Sequence, residues 1–182
     1  MRLLLLLFFT STLIGQGKNE VPETFSIDKN GIVIWQKIYE YNLDHPKLVK
    51  KLEDYFLNTE FTRGLSMENS KFVGYSNELK VKPIKGGPHY NPITAFVEVE
   101  VKDKRYRVTI KDIKLKEMTT GVNTGMFSVS QAVSFNFSEI VLNGRKTDFK
   151  KGFVKINYLK SHDEAFDTIF TLKQVPQTTS DW

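Results

Sequence analysis

Between Ala95 and Leu115 the chain reads AFVEVEVKDKRYRVTIKDIKL, and a single strand register satisfies both faces of this segment at once. With Asp103 and Lys104 in a turn, Val101 falls opposite Tyr106, Val99 opposite Val108 and Val97 opposite Ile110 on one face. On the other, Glu100 meets Arg107 and Glu98 meets Thr109. An apolar row beside a charged row is the alternation of an antiparallel pair with one face on a core and one in water. The apolar face must then be covered by helices. Beyond Ile110 the parity slips, because Ile113 and Leu115 fall on the odd phase, which predicts a bulge at Lys111-Asp112.

The chain begins with one charge at Arg2, an apolar run from Leu3 to Phe9, Thr10-Ser11-Thr12-Leu13-Ile14 and the small-residue pattern Gly15-Gln16-Gly17. Residues 1–17 have the pattern of a secretory signal peptide, and the run falls short of the about 20 apolar residues of a membrane-spanning helix. Cleavage after Gly15 or Gly17 would release an exported protein, periplasmic or secreted, without a transmembrane segment. Loss of Arg2 takes the formal charge from +5 to +4, a mild balance for a chain that is 26% charged. There is no cysteine, so a lipidated N-terminal cysteine, thiol chemistry and iron-sulfur binding are excluded, and no disulfide can staple the domain. The core alone must hold it. A hydrophobic content of 40% with 14 phenylalanines argues against disorder and for a single domain over residues 18–175.

Phe25-Ser26-Ile27 and Ile32-Val33-Ile34-Trp35 flank Asp28-Lys29-Asn30-Gly31, where Asn-Gly signals a hairpin. A calcium loop does not fit, because with Gly31 at its sixth position the first and twelfth would be Ser26 and Lys37. The second strand runs to about Tyr41, with Ile32, Ile34 and Ile38 on the phase opposite Val33, Trp35 and Tyr39, which predicts partial burial on both sides. Asp44 or His45, followed by Pro46, starts a helix whose Leu48, Leu52, Tyr55 and Phe56 share one side. Glu68-Asn69-Ser70 reads as a turn between short strands, the second being Lys71 to Leu79. Loops follow around Pro83 to Pro92, which carries His89 and Tyr90, and Thr119 to Gly125. A long strand is expected from Phe127 to Ser138, a hairpin at Asn143-Gly144 and a strand from Phe153 to Leu159, so that residues 117–159 extend the sheet. Asn136-Phe137-Ser138 matches a glycosylation acceptor but lies inside that strand, a poor place for one. Ser161 and Glu164 form a capping box for a C-terminal helix over residues 161–174, with Ala165, Phe166, Ile169, Phe170 and Leu172 inward. Residues 176–182 read as a flexible tail.

The expected fold is α+β: an antiparallel β-sheet built as hairpin, strand, helix, meander and C-terminal helix, with two helices packed on one face. The segment Phe25 to Val33, the helix with Leu48, Leu52 and Phe56, Phe72-Val73-Gly74 and Val101 to Arg107 together resemble a family of exported bacterial domains of unknown function. The resemblance covers about residues 25–115 and implies a TATA-binding-protein-like (TBP-like) fold, an antiparallel sheet with helices on one side. Members of that family often end in an acidic stretch with a final Trp, as Ser180-Asp181-Trp182 does. No activity or site comes with the likeness.

Site chemistry is sparse. His45, His89 and His162 lack the spacing of a zinc site, and surface or capping roles suffice for them. No Gly-x-Ser-x-Gly elbow, phosphate loop or dinucleotide fingerprint is present, and no cofactor is implied. Glu98 and Glu100 project about 7 Å apart from one strand face, but Arg107 and Lys102 beside them favour ion pairing over glycosidase chemistry. The expectation is therefore a non-enzymatic module that binds a protein, peptide or envelope component through the charged face carrying Glu98, Glu100, Arg105 and Arg107. Nucleic-acid binding, suggested by the pI of about 9.2 and the lysines near the hairpin, is disfavoured by those two carboxylates. A purely structural envelope protein is the remaining alternative. Export is checked by mass spectrometry of protein from its native envelope or medium: the expected N-terminus is Gln16 or Lys18, and a retained Met1 would rule it out.

Overall fold

The two-faced alternation of Ala95 to Leu115 forms the centre of an antiparallel sheet. In the computed structural model, which describes residues 20–82, 92–119 and 131–172, the elements run β1 (Phe25–Ile27), β2 (Val33–Glu40), α1 (His45–Asn58), a 3₁₀ turn (Glu60–Thr62), β3 (Ser66–Glu68), β4 (Lys71–Tyr75), β5 (Ile93–Lys102), β6 (Arg105–Thr119), β7 (Gln131–Asn136), α2 (Phe137–Val141), α3 (Lys151–Lys155) and α4 (Tyr158–Phe170). The strand order is β1-β2-β6-β5-β4-β3, with β7 also on β6, and every pairing is antiparallel. The register of β5 on β6 is the one that satisfies both faces: Val99 opposite Val108, Glu100 opposite Arg107. Thr94 pairs with Lys114 and Phe96 with Lys111, so Asp112 and Ile113 together face Ala95. That is the bulge the parity slip requires, and Asp112 takes a left-handed φ of 50° to make it. Ile113 and Leu115 thereby return to the core.

All core side chains lie on one side of the sheet. Ile93, Ala95, Val97 and Val99 of β5, Tyr106, Val108 and Ile110 of β6, and Trp35 of β2 are buried beneath α1, which contributes Leu48, Leu52 and Phe56, and α4. Pro46 sits in the first turn of α1, where its missing N–H costs nothing. Helix α4 is bolted to β2 by side chains four residues apart: Asp163 Oδ1 accepts from Trp35 Nε1 at 2.8 Å and Thr24 Oγ1 at 2.6 Å. One turn on, Asp167 Oδ1 accepts from Lys37 Nζ at 2.8 Å and Tyr39 OH at 3.0 Å. Partial burial pushes the Asp167 carboxyl up, but the bonds from Lys37 and Tyr39 outweigh it and hold it below the usual carboxylate range.

Several expectations are corrected. The phase of Ile32, Ile34 and Ile38 is half-buried only at Ile34: Ile32 is 38% and Ile38 55% exposed, because all the helices lie on the other face. In the β1–β2 turn only Gly31 has positive φ, at 72°, and the loop closes through the Asp28 N–H donating to the Ile32 carbonyl, a wider connection than a two-residue hairpin. A Cβ on Gly31 would lie 2.7 Å from that of Lys146. The strand expected to continue through Ser138 ends at Asn136, whose side chain accepts from Ser138 N–H and starts α2. Strand β7 cannot run on, because β2 occupies the same side of β6 from Ile110 downward, and Val33 N–H donates to Ser138 Oγ at the junction. Asn143-Gly144 opens a loop closed by a single Leu142–Phe149 bridge, and Phe153 to Leu159 is helical rather than extended. So residues 137–159 add helices, four in place of two among the described residues. Helix α4 begins at Tyr158 after Asn157 at φ 58°, three residues before the expected Ser161 cap. The signal-peptide segment, the loop at residues 83–91, most of the loop after Thr119 and the tail lie outside the described residues.

Val99 is fully buried and Glu98 is on the open face. Val99→Asp places an unpaired charge in the core and is expected to cost several kcal/mol of a total of about 5–15, whereas Glu98→Lys should cost at most about 1. Thermal melts that rank the two the other way would contradict the register.

Candidate functional site on the open sheet face

The parity that buries the valines turns Glu98 and Glu100 of β5 and Arg105 and Arg107 of β6 outward. Neighbouring strands complete two rows across this face, Ile38, Arg107, Glu100 and Lys71 in one and Gln36, Thr109, Glu98 and Val73 in the next. Lys71 Nζ lies 2.8 Å from Glu98 and 2.6 Å from Glu100, and Arg107 pairs with Glu100 on its other side. Two cations and two anions thus neutralise one another. Hydrogen bonds first from Lys71 and then from Arg107 hold the Glu100 carboxyl below its usual range despite partial burial. Lys71 is raised in turn, first by Glu100 and then by Glu98. A carboxylate kept ionised in this way is a poor proton donor.

Of the four residues expected to form the site, the structure brings Glu98, Glu100 and Arg107 into one network and leaves Arg105 at its margin. Arg105 lies across from Glu40 and Lys102 and makes no ion pair among the described residues. With Ile38, Glu100, Lys102 and Arg107 it borders a shallow cleft of about 230 Å³. Lys71 was not legible as a member, since nothing local marks β4 as the neighbour of β5.

The same face carries an apolar ledge at the end nearest the bulge. Tyr75 and Phe96 are cross-strand neighbours with ring centroids 5.3 Å apart at 80°, and Tyr75 is 59% exposed. Together with Ile32, Ile34, Lys111 and Asp112 they line a groove of about 320 Å³. Lys111 Nζ sits 5.1 Å from the Phe96 ring centre. Tyr75 OH donates to Asp112 Oδ2 at 3.2 Å, and Lys114 lies 3.4 Å from the same oxygen. The sequence places Phe96 on the open phase and Ile34 half-buried, as the structure has them, but does not connect Tyr75 with them, because the ledge draws on three strands that are distant in the chain.

Comparison with protein-family models finds no match, and neither does comparison with curated proteins. A DUF4468 family protein from Bacteroides ovatus superposes with a TM-score of 0.50 at 13% identity, over 86% of this chain and 96% of that one. The two share a fold. A TBP-like protein from Parabacteroides distasonis gives 0.49 at 12% identity, over 79% and 93%. At such identity the likeness extends to the fold alone, which is the antiparallel sheet with helices on one side that the resemblance in the sequence implied.

Among the described residues no group of three His, Asp or Glu side chains is placed to hold a metal ion, and no helix is long and apolar enough to cross a membrane. His162 departs from the surface or capping role expected of it. It is buried inside α4 against Phe137 and Tyr158, at ring distances of 5.0 and 4.6 Å. Its Nδ1 lies 2.8 Å from the Tyr158 carbonyl, so that nitrogen carries the proton, and Nε2 has no partner among the described residues. Burial pushes its pKa down to about 4, against a smaller opposing effect of the Tyr158 carbonyl. The unfolded chain takes up this proton near pH 6.5 and the folded chain does not, so stability should fall by about 3 kcal/mol as pH drops from about 6.5 to about 4. The depressed carboxylates enter only at the lower end of that window, from the ordinary values of 4.5 for Glu100 and 3.8 for Asp167 downward. Denaturant melts of His162→Leu between about pH 6.5 and about pH 5, above the carboxylate range, should show the slope removed; an unchanged slope there would contradict the assignment.

Proposed function

We propose that this protein is an exported, non-catalytic binding module that takes a polypeptide or polypeptide-bearing envelope component on its open sheet face. The observation that carries the reading is the composition of that face: an exposed aromatic and aliphatic ledge adjoining a lattice of charges already fixed by one another. Aromatic and arginine side chains rimmed by polar groups are the make-up of recognition surfaces, and exposed apolar patches on monomers mark such sites. The fixed charges need no rearrangement to meet a partner, so they favour specificity and orientation over raw affinity. The signal-peptide pattern of residues 1–17 supports the compartment. Nucleic acid is the weaker reading, because Lys71 and Arg107 are already paired and Glu98 and Glu100 stand in the middle of the face, where they repel phosphate.

Gln36 is exposed on the open face, at the β2 end of the row that holds Glu98, and Lys50 is exposed on α1. A photo-crosslinking amino acid at position 36, in cells of the native host, is expected to yield a discrete polypeptide adduct that position 50 does not give. The adduct should disappear in the fourfold variant Lys71→Glu/Glu98→Lys/Glu100→Lys/Arg107→Glu, which keeps the internal pairs and inverts the field. Equal adducts from both positions, or none from position 36, would overturn the proposal.

A further inference from the structure

We infer that the groove between Ile34, Tyr75 and Phe96 receives an aliphatic or aromatic side chain of an extended polypeptide that carries an aspartate or glutamate within two residues of it, the carboxylate meeting Lys111. This rests on the reading of the open face as a binding surface and names its partner. The groove, about 320 Å³, stands at the lower end of ligand-pocket sizes, suited to one large side chain. Its walls are the Tyr75 and Phe96 rings, set nearly perpendicular, and the two isoleucines at positions 32 and 34, the former 38% exposed.

The charges at the rim decide what accompanies that side chain. Asp28 Oδ1 accepts from the N–H groups of Asn30 and Ile32, at 2.8 Å each, so it is committed to its own turn. Asp112 is committed to Tyr75 and Lys114. Lys111 is exposed, rests its ammonium on the Phe96 ring and has no anionic partner among the described residues. One negative charge beside an apolar group is therefore what the groove lacks, and a partner supplies it. The adjoining row separates the possible carriers. Next to Phe96 and Lys111 stand Glu98 and Thr109, so a lipid tail longer than the groove would lie on a carboxylate, and a nucleic acid strand would bring successive phosphates against it. An extended polypeptide presents alternate side chains about 7 Å apart, matching the spacing of the rows along each strand, and can place an apolar group in the groove and polar ones beyond it.

The test selects linear peptides from a random displayed library against the wild type and against Lys111→Glu, both confirmed folded by thermal melt. The wild type is expected to enrich an apolar residue flanked by Asp or Glu, and Lys111→Glu an apolar residue flanked by Lys or Arg. A synthetic peptide from the wild-type selection should weaken about tenfold or more with Lys111→Glu and with Tyr75→Ala. If selected peptides bind these variants as tightly as wild type but lose binding to the fourfold charge reversal, the groove assignment is wrong and the open face stands. If neither protein enriches peptides, the polypeptide occupant is wrong. Lys111-dependent binding of oleate or of an oligonucleotide in place of peptide would transfer the groove to that other class and equally overturn the inference.

Discussion

A sheet with one dry face is stable only while something covers it, and here the cover is held by the seam between β2 and α4. Trp35 is fully buried and packs against Phe166 and Phe170 at ring distances of 5.4 and 6.3 Å. An indole buried this deeply needs a partner for its N–H, and Asp163 supplies one from the same helix. Four residues on, Asp167 repeats the arrangement with Lys37 and Tyr39, so the helix is fixed in rotation as well as in position. Tyr106 closes the far end by donating to the Phe170 carbonyl at 2.5 Å. In a chain without cysteine these polar contacts orient what the apolar contacts merely hold together.

The open face follows from that arrangement. Because both long helices lie on one side, everything on the opposite parity meets water, including isoleucines and aromatics that a two-sided sheet would bury. Within the charged rows Glu98 and Glu100 share Lys71, and Glu100 also has Arg107, so the carboxylates of this face are matched by cations. A flat surface with its charges spent on one another has few unmatched groups left. Lys111 and Arg105 are two of them, and they stand at opposite ends of the face.

The segment after β6 shows how a strand's neighbours end it. Beyond Lys114 the row beside β6 is free and β7 fills it; before Lys114 the row belongs to β2. The chain must leave the sheet there, and Asn136 provides a cap at that step. Phe137 then turns into the core, stacking on Phe25 and Tyr158 at 6.1 and 6.2 Å. His162, packed on the same ring, is the cost of this corner: a titratable side chain held neutral by desolvation.

Local periodicity alone determined the register of β5 on β6, the bulge at Asp112, the inner face of α1 and the placing of Glu98, Glu100, Arg105 and Arg107 on the open face. A period of two or of 3.6 is a property of consecutive residues and needs no knowledge of what lies alongside. Tertiary structure decided which strands stand beside that hairpin, and with them the binding of Glu100 by Lys71 and the meeting of Tyr75, Phe96 and Ile34. Strand neighbours distant in the chain leave no mark in either period. It also decided that the chain turns into α2 at Phe137 instead of continuing β7, because the row that strand would have occupied was already filled by β2.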